Sequence, residues 1–323
     1  MTDPVIHPIP PSMPDKLRVG VVGVGYLGRF HALIHSRLPD VHLVGVADVD
    51  AARAQAVAAE AGCAAFGDPS ALLGQVDAVS VVVPTSVHLD VARPYLEQGV
   101  HMLLEKPVAP DREQGTEIVR LAEASGAILQ IGHLERFNAG IMELARRIDA
   151  PRFIEAQRMG GFTERATDVD VVSDLMIHDI DIILSLVDAD LADVRAVGTP
   201  VLTEHLDIAN ARLEFVNGTV ANVVASRVSD KPTRRIRVFQ PRGYLSLDFV
   251  SQTLDIAVPV PRPDQARPEI TRQRIAVEPV KPLDLEIAAF VDCVRRGTRP
   301  LVHGAVGLKA LDVALLVRER IGA

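Results

Sequence analysis

Lys106 and the pair Asp174/His178 are the residues whose types and spacing suit proton transfer to or from a hydroxyl group. Lys106 lies in the segment Glu105-Lys106-Pro107, directly after the apolar run Val100–Leu104. A lysine at the carboxyl end of a buried strand can direct its charge at a bound ligand, where it stabilises an alkoxide or lowers a neighbour's pKa. A solvated loop lysine is the alternative that the residues alone leave open.

Asp174 and His178 are four residues apart in the apolar segment VVSDLMIHDIDIILSL, for which we predict a helix over Val171–Val187. At this spacing they share one helix face, and a carboxylate beside an imidazole fixes its tautomer and raises its basicity. Such a pair is a candidate general base. From spacing alone, a structural role for both residues is the stronger alternative: Asp174 as a carboxylate at the start of the helix, and His178 as a hydrogen-bonded histidine of the core. We predict no metal, because further ligands are missing at useful spacing.

The segment LRVGVVGVGYLG, residues 17–28, has the pattern of a strand, a glycine turn and the start of a helix. Gly23 permits a tight turn, Gly25 lets a pyrophosphate approach the backbone, and Gly28 lets helix and strand pack closely. The anion would then lie at the helix N-terminus. This pattern predicts a dinucleotide site.

Asp48 strengthens this prediction. It ends the next apolar run, Val41–Ala47, and lies twenty residues past Gly28. A carboxylate at this distance holds the ribose hydroxyls of a bound dinucleotide. A glycine turn without a nucleotide remains the weaker alternative.

The wider pattern predicts an α/β protein of two domains after a proline-rich arm over residues 1–15, which has five prolines in its first fourteen residues. In residues 16–134, short apolar strands alternate with longer helices, which is typical of a parallel sheet and a Rossmann dinucleotide-binding domain. In residues 135–323, strand follows strand from about Val194 to Val277, and Asn217-Gly218 predicts a hairpin. We expect a large, mostly antiparallel sheet there, followed by the helices Leu283–Arg295 and Gly304–Ile321.

Composition limits the classes of function. The chain has 323 residues, a net charge of −8 and two cysteines, Cys63 and Cys293, far apart in sequence. Without a basic block, nucleic acid is not an expected partner. We expect no membrane span and no export signal, and two distant cysteines suit a reducing cytoplasm.

These motifs together resemble the glucose–fructose oxidoreductase/inositol dehydrogenase (Gfo/Idh/MocA) family. The resemblance rests on GVGYLG, Asp48, Pro84-Thr85-x-x-His88, Glu105-Lys106-Pro107 and Asp174-x-x-x-His178, and extends over residues 16–323. It implies a Rossmann domain, a substrate domain whose sheet forms dimers or tetramers, and a nicotinamide dinucleotide as cofactor. NAD is the expected form, because Asp48 repels the 2′-phosphate of NADP and Val49 provides no arginine to receive it.

The resemblance also implies roles for individual residues. Lys106 would lie by the nicotinamide and the substrate hydroxyl, His178 would be the acid/base, and Asp174 would support the substrate. The implied cofactor-binding residues are Gly23, Gly25, Tyr26, Leu27, Gly28, Asp48, Pro84, Thr85, His88, Glu105 and Lys106.

A narrower likeness, in GHLERFN, TDVDVVSDLMIHDIDI and ASRVSDKPTRRIRVFQ, is to the branch that contains UDP-N-acetylglucosamine 3-dehydrogenases. It implies oxidation of the C3 hydroxyl of this UDP-sugar to a ketone, in a 3-amino-sugar pathway of lipid A type. Ala166 and Ser173 depart from the branch pattern. The candidate substrate-binding residues are Arg136, Asn138, Arg158, Arg165, Asp174 and His178. For the diphosphate, Lys231, Arg234, Arg235 and Arg237 are further candidates, although a solvated basic strand face explains these four at least as well.

Three other functions stay open at this point. The chain could be an inositol- or monosaccharide-type dehydrogenase, a glycosidase that uses NAD transiently, or a non-catalytic nicotinamide-binding regulator.

Overall fold

The structure is a computed structural model that describes residues 16–163, 169–263, 267–278 and 280–322, so the predicted arm over residues 1–15 lies outside it. The chain forms two compact units. The first takes the chain up to Glu105, then Ile118–Gln130 and Ile287–His303. The second takes Lys106–Glu117, Ile131–Glu286 and the chain from Gly304 onward. The units therefore interleave along the chain, and Ile287–His303 belongs to the first unit although we assigned it to the second domain.

A six-stranded sheet organises the N-terminal part, in the order β3-β2-β1-β4-β5-β6. Its strands are β1 (Leu17–Val22), β2 (Val41–Ala47), β3 (Ala64–Phe66), β4 (Ala78–Val81), β5 (His101–Glu105) and β6 (Leu129–Gly132). The helices of this region are α1 (Tyr26–His35), α2 (Ala51–Ala61), α3 (His88–Glu97) and α4 (Arg112–Ser125). The recorded pairs β1/β2, β1/β4, β2/β3 and β4/β5 are all parallel. This is the strand order of the dinucleotide-binding Rossmann fold, which confirms the predicted fold class.

The local sequence explains these elements. In β1 every side chain except Arg18 is buried, as expected for a parallel strand covered on both faces. Helix α2 begins after Asp50, whose carboxylate accepts a hydrogen bond from the backbone N–H of Arg53. It ends at Gly62, which has the left-handed conformation of a helix C-terminus.

An eight-stranded sheet organises the second unit, in the order β14-β13-β12-β11-β7-β10-β9-β8. Its strands are β7 (Phe153–Met159), β8 (Leu191–Thr199), β9 (Ile208–Phe215), β10 (Val220–Ser226), β11 (Thr233–Gln240), β12 (Gly243–Asp248), β13 (Thr253–Val260) and β14 (Glu269–Ala276). Strands β7 and β10 pair in parallel and the other recorded pairs are antiparallel. The predicted mostly antiparallel sheet is confirmed, and Gly218, at φ +81°, makes the turn between β9 and β10.

The helices after the first sheet are α5 (Ala139–Ala145), α6 (Ile177–Leu186), α7 (Pro282–Arg296) and α8 (Gly304–Ile321). Buried and less buried side chains alternate along β7, so one sheet face enters the core. Ile154 and Ile236 of this face share a hydrophobic cluster with Ile177 and Ile180 of α6.

A π-helical turn over Val172–Met176 precedes α6, where we predicted one continuous helix. Asp170 supports this turn, because its carboxylate accepts hydrogen bonds from the backbone N–H groups of Val172 and Ser173 at 2.9 Å each. The π-turn inserts an extra residue into the helical repeat, a device that is frequent at functional sites.

Candidate active site

The glycine turn between β1 and α1 needs two of its glycines for steric reasons. Gly23 has φ +82°, and a Cβ built on it would lie 2.5 Å from the carbonyl oxygen of Val82. A Cβ on Gly28 would collide with the carbonyl oxygen of Gly23. At Gly25, by contrast, no described residue other than its two chain neighbours comes within 4 Å of such a Cβ. The turn therefore leaves open space beside the one glycine that a pyrophosphate would approach.

The N-terminus of α1 faces this turn and is suited to an anion. Gly25 is its N-cap, and in the described chain the cap makes no side-chain hydrogen bond and the first turn has no acidic residue. The first N–H groups of a helix have no partner inside the helix, and their dipole favours negative charge. At the same end, Tyr26 is 68% exposed and Leu27 is half-buried. These residues fit the pyrophosphate of a dinucleotide.

Asp48 lies buried at the end of β2, and its carboxylate is tied to the glycine turn. One oxygen accepts a hydrogen bond from the backbone N–H of Val24, and the other accepts one from the backbone N–H of Asp50, at 2.9 Å each. Arg53 of α2 places its Nη1 atom 3.4 Å from both carboxylate oxygens. The sequence analysis considered only position 49 for an arginine beside Asp48, and the structure places Arg53 there. Position 53 lies in the first turn of α2, and this turn brings its side chain back to the end of β2.

The segments after β4 and β5 contain the other predicted cofactor residues. Exposed Pro84 and half-buried Thr85 follow β4 at a short 3-10 turn. His88 is fully buried, with Nε2 3.1 Å from the carbonyl oxygen of Val83. This contact fixes the backbone of the segment, which is a supporting role.

Glu105 is the last residue of β5 and is buried. It is 7% exposed, and its Oε1 atom lies 3.2 Å from Nε2 of the fully buried His31. The carboxylate is therefore directed into the core of the first unit, next to the point where the chain continues to Lys106.

In the second unit, Lys106 and Asp174 come together although 68 residues separate them. The Nζ atom of Lys106 donates to the backbone carbonyl of Asp174 at 2.7 Å and to its carboxylate at 3.3 Å. Both side chains are partly buried, which reduces solvent screening of the ion pair. The ammonium group is thereby held next to the π-turn.

His178 lies in the first turn of α6, after the π-turn that contains Asp174. We expected the Asp174 carboxylate to fix the imidazole tautomer, but these two side chains share no hydrogen bond in the described ranges. Asp174 is instead paired with Lys106, and the π-turn changes the stacking that an α-helix gives at this spacing. The Nδ1 atom of His178 is buried and has no hydrogen-bond partner among the described residues.

The surroundings of His178 favour its neutral form. Burial lowers its pKa well below the ordinary value, and the positive charges of Lys106, Arg158 and Arg234 and the neighbouring His133 lower it further. A neutral imidazole can accept a proton. His133, which we had not singled out, is buried, and its ring centroid lies 6.5 Å from that of His178 with the planes nearly perpendicular. The signal for it was its place in GHLERFN, directly after β6.

Arg158, which we predicted to bind substrate, is part of a buried ion-pair network. Its guanidinium donates to both carboxylate oxygens of Asp179, at 2.9 and 3.0 Å, and to Glu135 at 2.9 Å. The Arg158 side chain is 4% exposed. Two carboxylates therefore neutralise it inside the protein, and the pair with Asp179 joins α6 to β7.

The other predicted substrate residues divide into three cases. Arg136 is partly buried and 3.4 Å from Asp181. Asn138 caps α5 by accepting from the backbone N–H of Gly140 at 2.9 Å, and its amide donates to Glu135 at 3.3 Å, so it supports the start of this helix. Arg165, like Ala166, lies outside the described residues.

The described residues contain no group of three or more His, Cys, Asp or Glu side chains that could hold a metal ion. Among the described helices, none combines the length and the apolar composition that crossing a membrane requires.

Two family models match the chain. The model of the oxidoreductase family with an NAD-binding Rossmann fold matches residues 17–133, and the model of the GFO/IDH/MocA C-terminal domain matches residues 141–246. The chain is 41% identical to UDP-N-acetylglucosamine 3-dehydrogenase of Acidithiobacillus ferrooxidans over 95% of this chain and 98% of the relative. It is 31% identical to scyllo-inositol 2-dehydrogenase (NAD(+)) of Bacillus subtilis over 67% of this chain and 69% of the relative.

Solved structures agree with this fold. The structure of the Acidithiobacillus ferrooxidans enzyme superposes with a TM-score of 0.88 and covers 95% of this chain and 98% of that one, at 40% identity. A levoglucosan dehydrogenase in complex with NADH has a TM-score of 0.83 at 17% identity, over 95% of this chain and 97% of that one. At that identity the second likeness shows the fold alone.

Proposed function

Because this chain belongs to the Gfo/Idh/MocA family of NAD-binding oxidoreductases, we propose that it oxidises the C3 hydroxyl of UDP-N-acetylglucosamine to a ketone. The observation that carries the proposed chemistry is the placement of the Lys106–Asp174 pair and a neutral, partly buried His178 in one compact unit. The proposed substrate rests on the 41% identity to a UDP-N-acetylglucosamine 3-dehydrogenase over nearly the whole of both chains.

The first unit has a site that fits NAD. When bound, NAD would accept the hydride that leaves the sugar carbon. The N–H groups at the start of α1 and the space beside Gly25 suit its pyrophosphate, and Asp48 suits the adenosine ribose hydroxyls. NAD is the preferred form in this proposal, because the buried Asp48 carboxylate repels a 2′-phosphate.

In the proposed mechanism, His178 removes the hydroxyl proton and Lys106 stabilises the alkoxide. Burial and three cationic neighbours keep the imidazole unprotonated, so it is ready to accept the proton. The Lys106 ammonium, held by Asp174, supplies positive charge where the oxygen becomes negative. The oxygen–hydrogen electron pair becomes the second bond of the carbonyl as the hydride leaves carbon.

Two further parts of the proposal concern the setting of the enzyme. We place it in the cytoplasm, because its two cysteines are distant in sequence and NAD is an intracellular cofactor. We expect a homodimer or homotetramer, as the family resemblance implies. Analytical ultracentrifugation measures the fractions of monomer, dimer and tetramer.

The decisive experiment mixes the enzyme with NAD and UDP-N-acetylglucosamine and follows NADH by absorbance. Enzyme and sugar are used at similar concentrations, so that NADH that stays bound is also detected. Reduction of the product with borodeuteride, followed by mass spectrometry, locates the ketone by the carbon that takes up deuterium. Deuterium at C3 is the expected result, and the Lys106→Met variant is the control for slow background reduction.

Two outcomes would replace this function with an alternative. NADH formation with inositol and none with the nucleotide sugar would make the protein an inositol-type dehydrogenase. Release of free sugar without net NADH would favour the glycosidase.

A further inference from the structure

Arg234 lies on the same sheet face as the candidate active site. Strands β11 and β7 are antiparallel, and Arg234 is the direct cross-strand partner of Arg158. Directly opposed residues in such a pair project from one face of the sheet. Arg158 marks which face this is, because its guanidinium binds Asp179, the residue after His178.

The neighbouring arginines of β11 project from the other face. Arg235 donates to the hydroxyl of Ser246 at 2.9 Å, and Arg237 forms an ion pair with Glu155 at 2.6 Å. Ile236, between them, is fully buried with α6. The basic cluster of the sequence therefore divides by strand alternation, and among its three arginines Arg234 alone shares the face of α6.

The side chain of Arg234 is exposed, and its guanidinium makes no hydrogen bond or ion pair with any residue that the structure describes. Arg158, its cross-strand partner, is by contrast buried and neutralised by two carboxylates. The charge of Arg234 also acts on the imidazole of His178, which places it within electrostatic reach of the candidate base.

We propose that Arg234 binds the diphosphate of the nucleotide-sugar substrate. A guanidinium presents paired N–H donors that match phosphate oxygens, and no described carboxylate competes for them here. On this assignment the cation orients the anionic half of the substrate, while Lys106 and His178 act on the sugar. The inference rests on the proposed function and adds the residue that distinguishes a UDP-sugar from a neutral sugar.

The test compares Arg234→Gln, Arg234→Lys and the matched control Arg242→Gln with the wild type. Arg242 is an exposed arginine in the turn between β11 and β12. The measurements are UDP binding by calorimetry, and kcat and KM for UDP-N-acetylglucosamine. For Arg234→Gln we expect UDP affinity to fall, and KM to rise, by about 10- to 100-fold, the loss typical of a charge-assisted hydrogen bond. We expect kcat to change much less, Arg234→Lys to recover part of the affinity, and Arg242→Gln to match the wild type.

Failure of this inference is distinct from failure of the proposed function. UDP affinity and KM within about twofold of wild type in Arg234→Gln, or an equal loss in Arg242→Gln, would overturn the role of Arg234 even in an active enzyme. A wild type that turns over no UDP-sugar would overturn the proposed substrate instead. In that case, UDP binding that depends on Arg234 would still support a nucleoside diphosphate site, and wild-type protein that binds no UDP would refute it.

Discussion

Because Asp48 contacts Arg53, a substitution of Asp48 should change the preference of the enzyme between NADH and NADPH. The change is Asp48→Ser, which removes a buried negative charge and keeps a short hydroxyl near the backbone N–H of Val24. It also releases Arg53 from a contact of 3.4 Å with this carboxylate. We expect affinity for NADPH to rise, because its 2′-phosphate is no longer repelled by the Asp48 carboxylate and is attracted by the Arg53 guanidinium. We expect affinity for NADH to fall.

The size of the effect follows from the charges involved. Two like charges about 4 Å apart repel by about 4 kcal/mol at the effective dielectric constant near a protein surface. Arg53 already neutralises part of the Asp48 charge, and its side chain is 48% exposed to screening solvent, so we expect roughly half of this value. A gain of about 2 kcal/mol is about 30-fold in the dissociation constant for NADPH. NADH should lose about tenfold or more, since it loses charge-assisted hydrogen bonds to the ribose.

Fluorescence titration with NADH and NADPH measures both constants directly, and the sequence contains no tryptophan to interfere with the signal. The double variant Asp48→Ser/Arg53→Gln is the matched control. It should show a smaller gain for NADPH than Asp48→Ser and the same loss for NADH, because both variants lack the repulsion by Asp48 but only the double variant lacks the attraction of Arg53. An Asp48→Ser enzyme with unchanged NADH affinity would refute the assignment of Asp48 to the ribose. A gain for NADPH that is undiminished in the double variant would refute the role of Arg53.

Three further predictions concern catalysis and stability. Lys106→Met should lower kcat by about 100-fold or more at unchanged cofactor affinity, because it removes the charge that stabilises the alkoxide. Steady-state rates measure kcat, and titration with NADH measures the cofactor affinity. In the wild type, the acidic limb of the kcat/KM profile should lie below about pH 6.5, because burial lowers the pKa of His178 well below that ordinary value. Burial, with His31 nearby, lowers the pKa of His35 to about 3. The unfolded chain therefore binds the additional proton between that value and about 6.5, so this stabilisation is complete above pH 6.5 and decreases as pH falls, by about 2 kcal/mol at about pH 5. Urea unfolding above pH 6.5 and at about pH 5 should show that His35→Gln loses less unfolding free energy on acidification than the wild type. The glutamine amide can still reach the hydroxyl of Ser80, which His35 contacts.

Each of these predictions has an outcome that would contradict it. Loss of NAD binding in Lys106→Met would make its effect on rate uninformative about the alkoxide and would refute the separation of roles. A limb above pH 6.5 would show that His178 is protonated more readily than its burial implies. Equal acid sensitivity of wild type and His35→Gln would show that His35 is not the group that couples protonation to unfolding.

The sequence alone predicted the features that depend on local pattern. The glycine turn was recognisable because its spacing is local: a Cβ on Gly28 would collide with the carbonyl oxygen of Gly23 in the same motif, and Gly23 has a positive φ that favours glycine. The alternation of strands and helices predicted the parallel sheet, and the strand run with its Asn217-Gly218 turn predicted the antiparallel one. The motif Glu105-Lys106-Pro107 and the pair Asp174/His178 identified the family.

Only the tertiary structure decided how the charged residues pair. Arg158 pairs with Asp179, 21 residues away, and Lys106 pairs with Asp174, 68 residues away, so periodicity carried no sign of either contact. Alternation along β11 separates Arg234 from Arg235 in any strand, but the packing of α6 determines which of them lies on the side of His178. A charge acts through its distance from other charges, and in this chain folding sets those distances between residues far apart in sequence.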